Sequence, residues 1–277
     1  MLTYRLSLVA IVLAVAIALI GFIKISAKAD SGFISMKPPA FPLANPTAGA
    51  LALVGSGEYT LQMEEFEGDL LHRAMSYGKK NRFIQIPTAS SQEGDSARQR
   101  WQRLGQEQSD RIGSQCVYLP IHERDDAFNP DFVEQIKDAG LIYFSGGNPY
   151  HVADVFADSP LWEAIVASWQ SGSSLAGCSA GAMVLGGTIM KVRGSRLSPG
   201  LGIVPEIEII PHFDRYFGWV PELVRASILR ADANTTLVGI DENTALFYTD
   251  KWQRYGKGKV HILRGELAIS EQLLAIK

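Results

Sequence analysis

The chain has 277 residues, 47% hydrophobic and 20% charged, with a formal net charge of −3. That composition excludes wholesale disorder, and with no excess of Lys and Arg it carries no electrostatic footprint for a nucleic-acid partner. Two cysteines in a chain of this length exclude a disulfide-built scaffold.

The hydrophobic residues are unevenly spread. Leu8 to Ile23 is an unbroken apolar run, preceded by Arg5 and followed by Ile25-Ser26-Ala27-Lys28-Ala29. A positive start, an apolar stretch and an Ala-x-Ala step describe an export signal over residues 1–29, with cleavage after Ala29. The run falls between the usual signal length and the roughly 20 residues of a full membrane span. Arg5 and Lys24 could reach the two interfaces, so an uncleaved membrane anchor is the close rival. A helix buried in a soluble domain would usually keep a polar stripe. Either favoured reading exports the remainder, as a secreted or periplasmic domain or one anchored at the membrane. The leader holds Arg5, Lys24 and Lys28 and no acid, so the rest is three charges more negative than the whole chain. Residues 30–47 contain Pro38, Pro39, Pro42 and Pro46, the spacing of an extended tether. One folded domain is expected over residues 48–277.

Within it, Ala50 to Val54 reads as a buried strand leaving through Gly55-Ser56-Gly57. A helix is expected over Leu61 to Tyr77, a strand at Phe83 to Pro87, a polar loop at Thr88 to Ser91, and a helix through Trp101. Cys116 to Leu119 reads as a strand and Phe132 to Ala139 as a helix. Leu141 to Phe144 is a strand stopped by Ser145-Gly146-Gly147-Asn148-Pro149. Helices around Val152 to Phe156 and Leu161 to Trp169 lead to the strand Ser174 to Gly177. Nearly all-apolar strands alternating with helices indicate a parallel sheet covered on both faces, an α/β three-layer sandwich. Such sheets bind ligands beyond the carboxyl ends of their strands, which gathers the loops at Gly55, Thr88, Gly146 and Cys178 on one rim. Later, Ile207 to Ile210 is apolar and Pro221 to Leu229 helix-like. Thr236 to Ile240, Ala245 to Tyr248 and Lys259 to Leu263 read as strands of an antiparallel extension.

Gly177-Cys178-Ser179-Ala180-Gly181 fits the G-x-S-x-G elbow, in which a serine on a sharp strand-to-helix turn is pushed out of the sheet. Gly and Ser are common, so the pattern alone is weak. Its context is an apolar strand before Ser179 and a helix-forming stretch, Ala180 to Leu185, after it. Cys178 is off the elbow's centre and is expected in the packing beneath; export would permit a Cys116–Cys178 bridge. A serine hydroxyl needs a base, and the base an orienting acid. No pair among the five histidines has metal-ligand spacing with a carboxylate, so no metal site and no cofactor are expected. His72 is expected on a helix surface, His122 in a polar loop, His151 near the rim and His261 in a late strand. His212 ends an apolar strand, where a loop can aim its ring into a cleft. For the acid, Glu242 lies just past a strand end, with Glu206 and Asp214 as competitors.

The segments Gly55-Ser56-Gly57-Glu58, Pro87-Thr88-Ala89-Ser90, Phe144-Ser145-Gly146-Gly147-Asn148, Gly177 to Ala182, His212-Phe213-Asp214-Arg215 and Gly239 to Leu246 occur in one order. Together they resemble the serine peptidase family of cyanophycinase and dipeptidase E. The resemblance implies the class I glutamine amidotransferase-like (flavodoxin-like) fold and a Ser–His–Glu triad carried onto Ser179, His212 and Glu242. It points to Gly147 with Ala180 as the oxyanion site, beside Asn148, and to hydrolysis of an amide bond in a small peptide. In one place the chain departs: members that cleave cyanophycin or acidic dipeptides often carry Gln after the Gly-Gly-Asn or Gly-Gly-Asp turn, and here Pro149 stands there. The triad survives that change; the substrate preference does not. The competing reading is a catalytically inactive, membrane-tethered binding protein on the same scaffold. Glutamine amidotransfer is a poor third, since a serine occupies the elbow. A homodimer is compatible with the reading.

Overall fold

The computed structural model describes residues 48–190, 198–216 and 235–270. The expected leader (1–29), the tether (30–47) and the helix-like stretch at 221–229 lie outside the described residues. Leu51–Val54 (β1), Arg82–Ile86 (β2), Gln115–Tyr118 (β3), Leu141–Phe144 (β4) and Ser174–Cys178 (β5) form a parallel sheet in the order β1-β5-β4-β2-β3. Later come Thr188–Ile189 (β6), Ser198–Pro199 (β7), Ile207–Ile210 (β8), Thr236–Ile240 (β9), Thr244–Tyr248 (β10), Trp252–Gly256 (β11), Val260–Arg264 (β12) and Ile269–Ser270 (β13). The helices are Glu64–Ser76 (α1), Asp95–Arg111 (α2), Pro130–Ile136 (α3), Pro149–Phe156 (α4), Pro160–Gln170 (α5), Ala180–Leu185 (α6) and Phe213–Tyr216 (α7).

Alternate strand side chains face opposite sides of a sheet, and here both sides are dry. Ala52, Val54, Phe83, Tyr143 and Cys178 pack with Phe66, Leu70 and Leu71 of α1. Leu53, Ile84, Phe144 and Leu175 face the other way and pack with Phe156, Ile165, Trp169 and Val184 from α4, α5 and α6. Helices on both faces of a mostly parallel sheet make the three-layer sandwich that the strand composition implied. Three helices begin by one device. Asn129, Asn148 and Ser159 each accept a backbone amide with the side-chain oxygen, and the next residue is Pro130, Pro149 or Pro160. Proline suits the first helical position, whose amide needs no partner within the helix.

Three local expectations are revised. Thr88 to Glu93 is a short 3₁₀ helix, and α2 continues ten residues past Trp101 to Arg111. Its last turns bury small or polar residues, Gly105, Gln108 and Ser109, which carry no apolar periodicity to read. The antiparallel extension is split in two. β10 and β11, the latter unread in the sequence, extend the main sheet from β1, with β13 at its edge. β9 and β12 instead join β8 in a separate three-stranded sheet. The short link from β9 to β10 cannot close a hairpin because its backbone is engaged elsewhere. The Asp241 amide donates to Lys259, the Asn243 amide to Ser56, and Thr244 accepts from the Gly55 amide. Among the described residues no helix is long and apolar enough to cross a membrane.

Candidate active site

The exits of β1, β2, β4 and β5 meet at one rim, joined by main-chain hydrogen bonds. The Ser179 amide donates to Val54, Asn148 to Ala89, and Ser145 to Ile86. Ser179 itself has φ 51° and ψ −111°, a sparsely populated conformation for a non-glycine residue that costs of order 1–3 kcal/mol. The flanking glycines allow it through close approach. A Cβ on Gly177 would lie 2.4 Å from the Gly181 carbonyl oxygen, and one on Gly181 would lie 2.3 Å from that of Phe144.

Ser179 Oγ is 3.0 Å from His212 Nε2, and His212 Nδ1 is 2.9 Å from Glu242 Oε1. The structure therefore brings together the three residues that the resemblance selected. His212 leaves β8 with φ 49°, and its amide donates to Gly55, so the ring is aimed from the end of one sheet at the elbow of the other. Glu242 is held twice more: Arg215 Nε donates to its Oε2 at 3.1 Å, and its own amide donates to Asp214 Oδ1 at 3.0 Å. The His212 and Glu242 side chains are 25% and 23% exposed, open enough for water to reach the serine.

The competing residues take other places. Glu206 is exposed, and Asp214 supports the backbone at Glu242. His72 is exposed on α1. His151 Nε2 lies within hydrogen-bond distance of Ser91 Oγ and the His122 carbonyl, tying α4 to the loop after β2. Burial, with Arg98 nearby, lowers the pKa of His122. His261 faces Asp241 Oδ1 at 2.9 Å and packs its ring 4.4 Å from that of Phe213, so it buttresses the residues beside His212 and Glu242. Sequence reading left that role unassigned, because it depends on β12 crossing beside β9.

Gly147, with φ 141°, is exposed at the rim, and a Cβ there would meet the Ala89 carbonyl oxygen at 2.4 Å. Among the described residues neither the Gly147 amide nor the Ala180 amide donates to the protein. Asn148 is differently engaged: its side-chain oxygen caps α4 by accepting from Tyr150 and His151. Both cysteines are free, so the Cys116–Cys178 bridge does not form. Cys178 is buried on the α1 face and donates its thiol proton to Glu58 Oε2 at 2.8 Å; burial above all, and Glu58 next, push its pKa well up. Burial likewise pushes Cys116 up to about 11. Neither is a ready thiolate nucleophile. Among the described residues no group of three or more His, Cys, Asp or Glu could hold a metal ion.

Residues 51–255 match the pattern of Peptidase family S51. A cyanophycinase from Nostoc sp. is 29% identical over 230 residues, spanning 78% of this chain and 74% of its own. One from Geminocystis herdmanii is 31% identical over 160 residues, spanning 53% and 58%. The crystal structure of a peptidase from an acI-B1 Actinobacterium superposes with a TM-score of 0.75 at 47% identity, covering 79% of this chain and 92% of that one. A putative peptidase E from Listeria monocytogenes shares the fold, with a TM-score of 0.54 at 16% identity over 76% of this chain and all of that one.

Proposed function

The chain belongs to peptidase family S51 and is a serine-type peptidase, and from that premise we propose that it cleaves an amide bond of small peptides through Ser179, His212 and Glu242. The observation that carries the proposal is the unbroken chain of contacts from Ser179 Oγ through His212 to Glu242, at 3.0 and 2.9 Å. Glu242 accepts the Nδ1 proton of His212, which leaves Nε2 as the acceptor facing Ser179. As Oγ attacks the carbonyl carbon, His212 takes its proton, and Glu242 stabilises the imidazolium so formed. The amides of Gly147 and Ala180 are the donors available to the developing oxyanion. Collapse of the tetrahedral intermediate passes the proton to the leaving amine, and water, activated in turn by His212, releases the acyl group.

The small-peptide substrate rests on the resemblance. Pro149 carries no side-chain donor or acceptor and occupies the first turn of α4, so no preference for cyanophycin or acidic dipeptides is proposed. Export through residues 1–29, by a signal peptide or an uncleaved anchor, and a homodimeric assembly complete the proposal; the leader's charge and apolar pattern support the first.

The test is digestion of a peptide library by wild type and Ser179→Ala, with fluorophosphonate labelling in parallel. Wild type should cleave and label, and the variant should do neither while keeping its fold. Equal cleavage by both proteins would refute the assignment. A folded wild type that neither cleaves nor labels would favour a binding protein instead.

A further inference from the structure

Glu58 is a carboxylate beside the nucleophile that the triad does not use. It leaves the turn after β1 and reaches past the end of β5 to the exit of β4. Its Oε1 accepts from the Gly146 amide at 2.9 Å, and its Oε2 accepts from the Cys178 thiol at 2.8 Å. The approach is close: a Cβ on Gly146 would lie 2.8 Å from Glu58 Oε1, 3.3 Å from Ser179 Cβ and 3.7 Å from Ser179 Oγ.

We propose that Glu58 is a positioning residue for the oxyanion site, tying the exits of β1, β4 and β5 together so that the Gly146–Gly147 turn stays set against Ser179. The inference rests on the serine-hydrolase reading above. Gly147 lies between two anchored amides: Gly146 N donates to Glu58, and Asn148 N donates to the Ala89 carbonyl at 2.7 Å. The amide between them is the one left to face a substrate. Removing this acceptor frees a buried backbone donor to turn toward another partner. Any such turn rotates the neighbouring Gly147 peptide as well. Glu58 is not placed as a second base, since both of its oxygens already accept and Ser179 Oγ is engaged by His212. The thiol of Cys178 is a suitable second donor because burial keeps it protonated.

The experiment compares full-length wild type, Glu58→Ala and Glu58→Gln on a peptide that wild type cleaves, with the Gly146 amide proton followed by NMR on ¹⁵N-labelled protein. Glu58→Ala should lower kcat about 10- to 100-fold with KM nearly unchanged, the scale of a misplaced oxyanion donor. It should slow fluorophosphonate labelling in parallel, because the phosphonyl oxygen uses the same amides. Glu58→Gln keeps a carbonyl acceptor for Gly146 and should recover most of the rate, with the Gly146 proton still downfield. Wild-type kcat in Glu58→Ala, a loss confined to KM, or equal losses in both variants would overturn the proposal. If Glu58→Ala does not fold, Glu58→Gln decides: near-wild-type kcat with a downfield Gly146 proton supports the proposal, and either a large loss of kcat or an upfield Gly146 proton overturns it. A wild type that neither cleaves nor labels overturns the triad reading and this assignment with it. A wild type that does both, matched by Glu58→Ala, overturns this assignment alone.

Discussion

Glu67 makes a testable link between the core and pH. It faces inward from α1 and is 0% exposed. Tyr59 N donates to its Oε1 at 3.4 Å and Gln108 Nε2 to its Oε2 at 2.6 Å, while Arg111 Nε donates to the other end of Gln108 at 2.8 Å. The buried Tyr143 hydroxyl lies near the same carboxyl, and Glu58 adds a like charge nearby. Burial is the largest effect and pushes the Glu67 carboxyl from 4.5 up to about 8, against the hydrogen bonds from Gln108 and Tyr59. At neutral pH the native carboxyl is therefore protonated, whereas in the unfolded chain it is ionised. Between those two values the native state holds the extra proton, so stability falls as pH rises and levels off above the folded value. At about 1.4 kcal/mol per unit, the loss between pH 5 and pH 7 is about 2–3 kcal/mol. Glu67→Gln removes the titrating group but not the neutral shape. Urea unfolding of both proteins across pH 5, 6, 7 and 8 should show wild type losing about 2–3 kcal/mol relative to the variant between pH 5 and pH 7. The amide that now meets a backbone or Gln108 donor adds a constant offset, so the slope carries the information. Parallel stability curves would refute the reasoning.

Two substitutions test the geometry around the triad. Gly181→Ala drives a methyl against the Phe144 carbonyl, a backbone that cannot yield as a flexible side chain would. It should cost about 2 kcal/mol or more by urea unfolding, together with loss of fluorophosphonate labelling at Ser179. Arg215→Ala removes the donor to Glu242 Oε2, but the arginine side chain is 69% exposed, and exposed pairs contribute about 0–1 kcal/mol. In peptide-cleavage assays kcat should fall less than about 5-fold, and a much larger loss would mean that Arg215 touches the substrate.

The parts of the fold written in local pattern were legible beforehand. β1, β2, β4 and β5 are short, largely apolar and stopped by turn residues, Gly55, Pro87, Ser145-Gly146 and Ser179, so their existence and their parallel pairing follow from burial on both faces. The elbow at Ser179 was legible because its glycines are required by close backbone approach. β11 and the end of α2 were not legible, since a half-buried strand next to the sheet edge and a helix packed through Gly105, Gln108 and Ser109 carry little hydrophobic periodicity. Glu58 stood in a recognised motif, but its task depends on Gly146 arriving from a strand some 88 residues away in sequence.

The residues by themselves thus determined the α/β layering, the elbow at Ser179 and the family resemblance that proposed Ser179, His212 and Glu242 as a triad. They did so because strand burial, turn chemistry and a strained elbow are each set by neighbours in the chain. Tertiary structure alone decided what depends on distant segments meeting. It put β8 and β9 in a second sheet, so that His212 and Glu242 face one serine from two strand ends, and it left Cys116 and Cys178 unbridged. It also committed the Asn148 side chain to a helix cap. A side chain's partner is fixed by where other strands end, and no spacing along the chain encodes that.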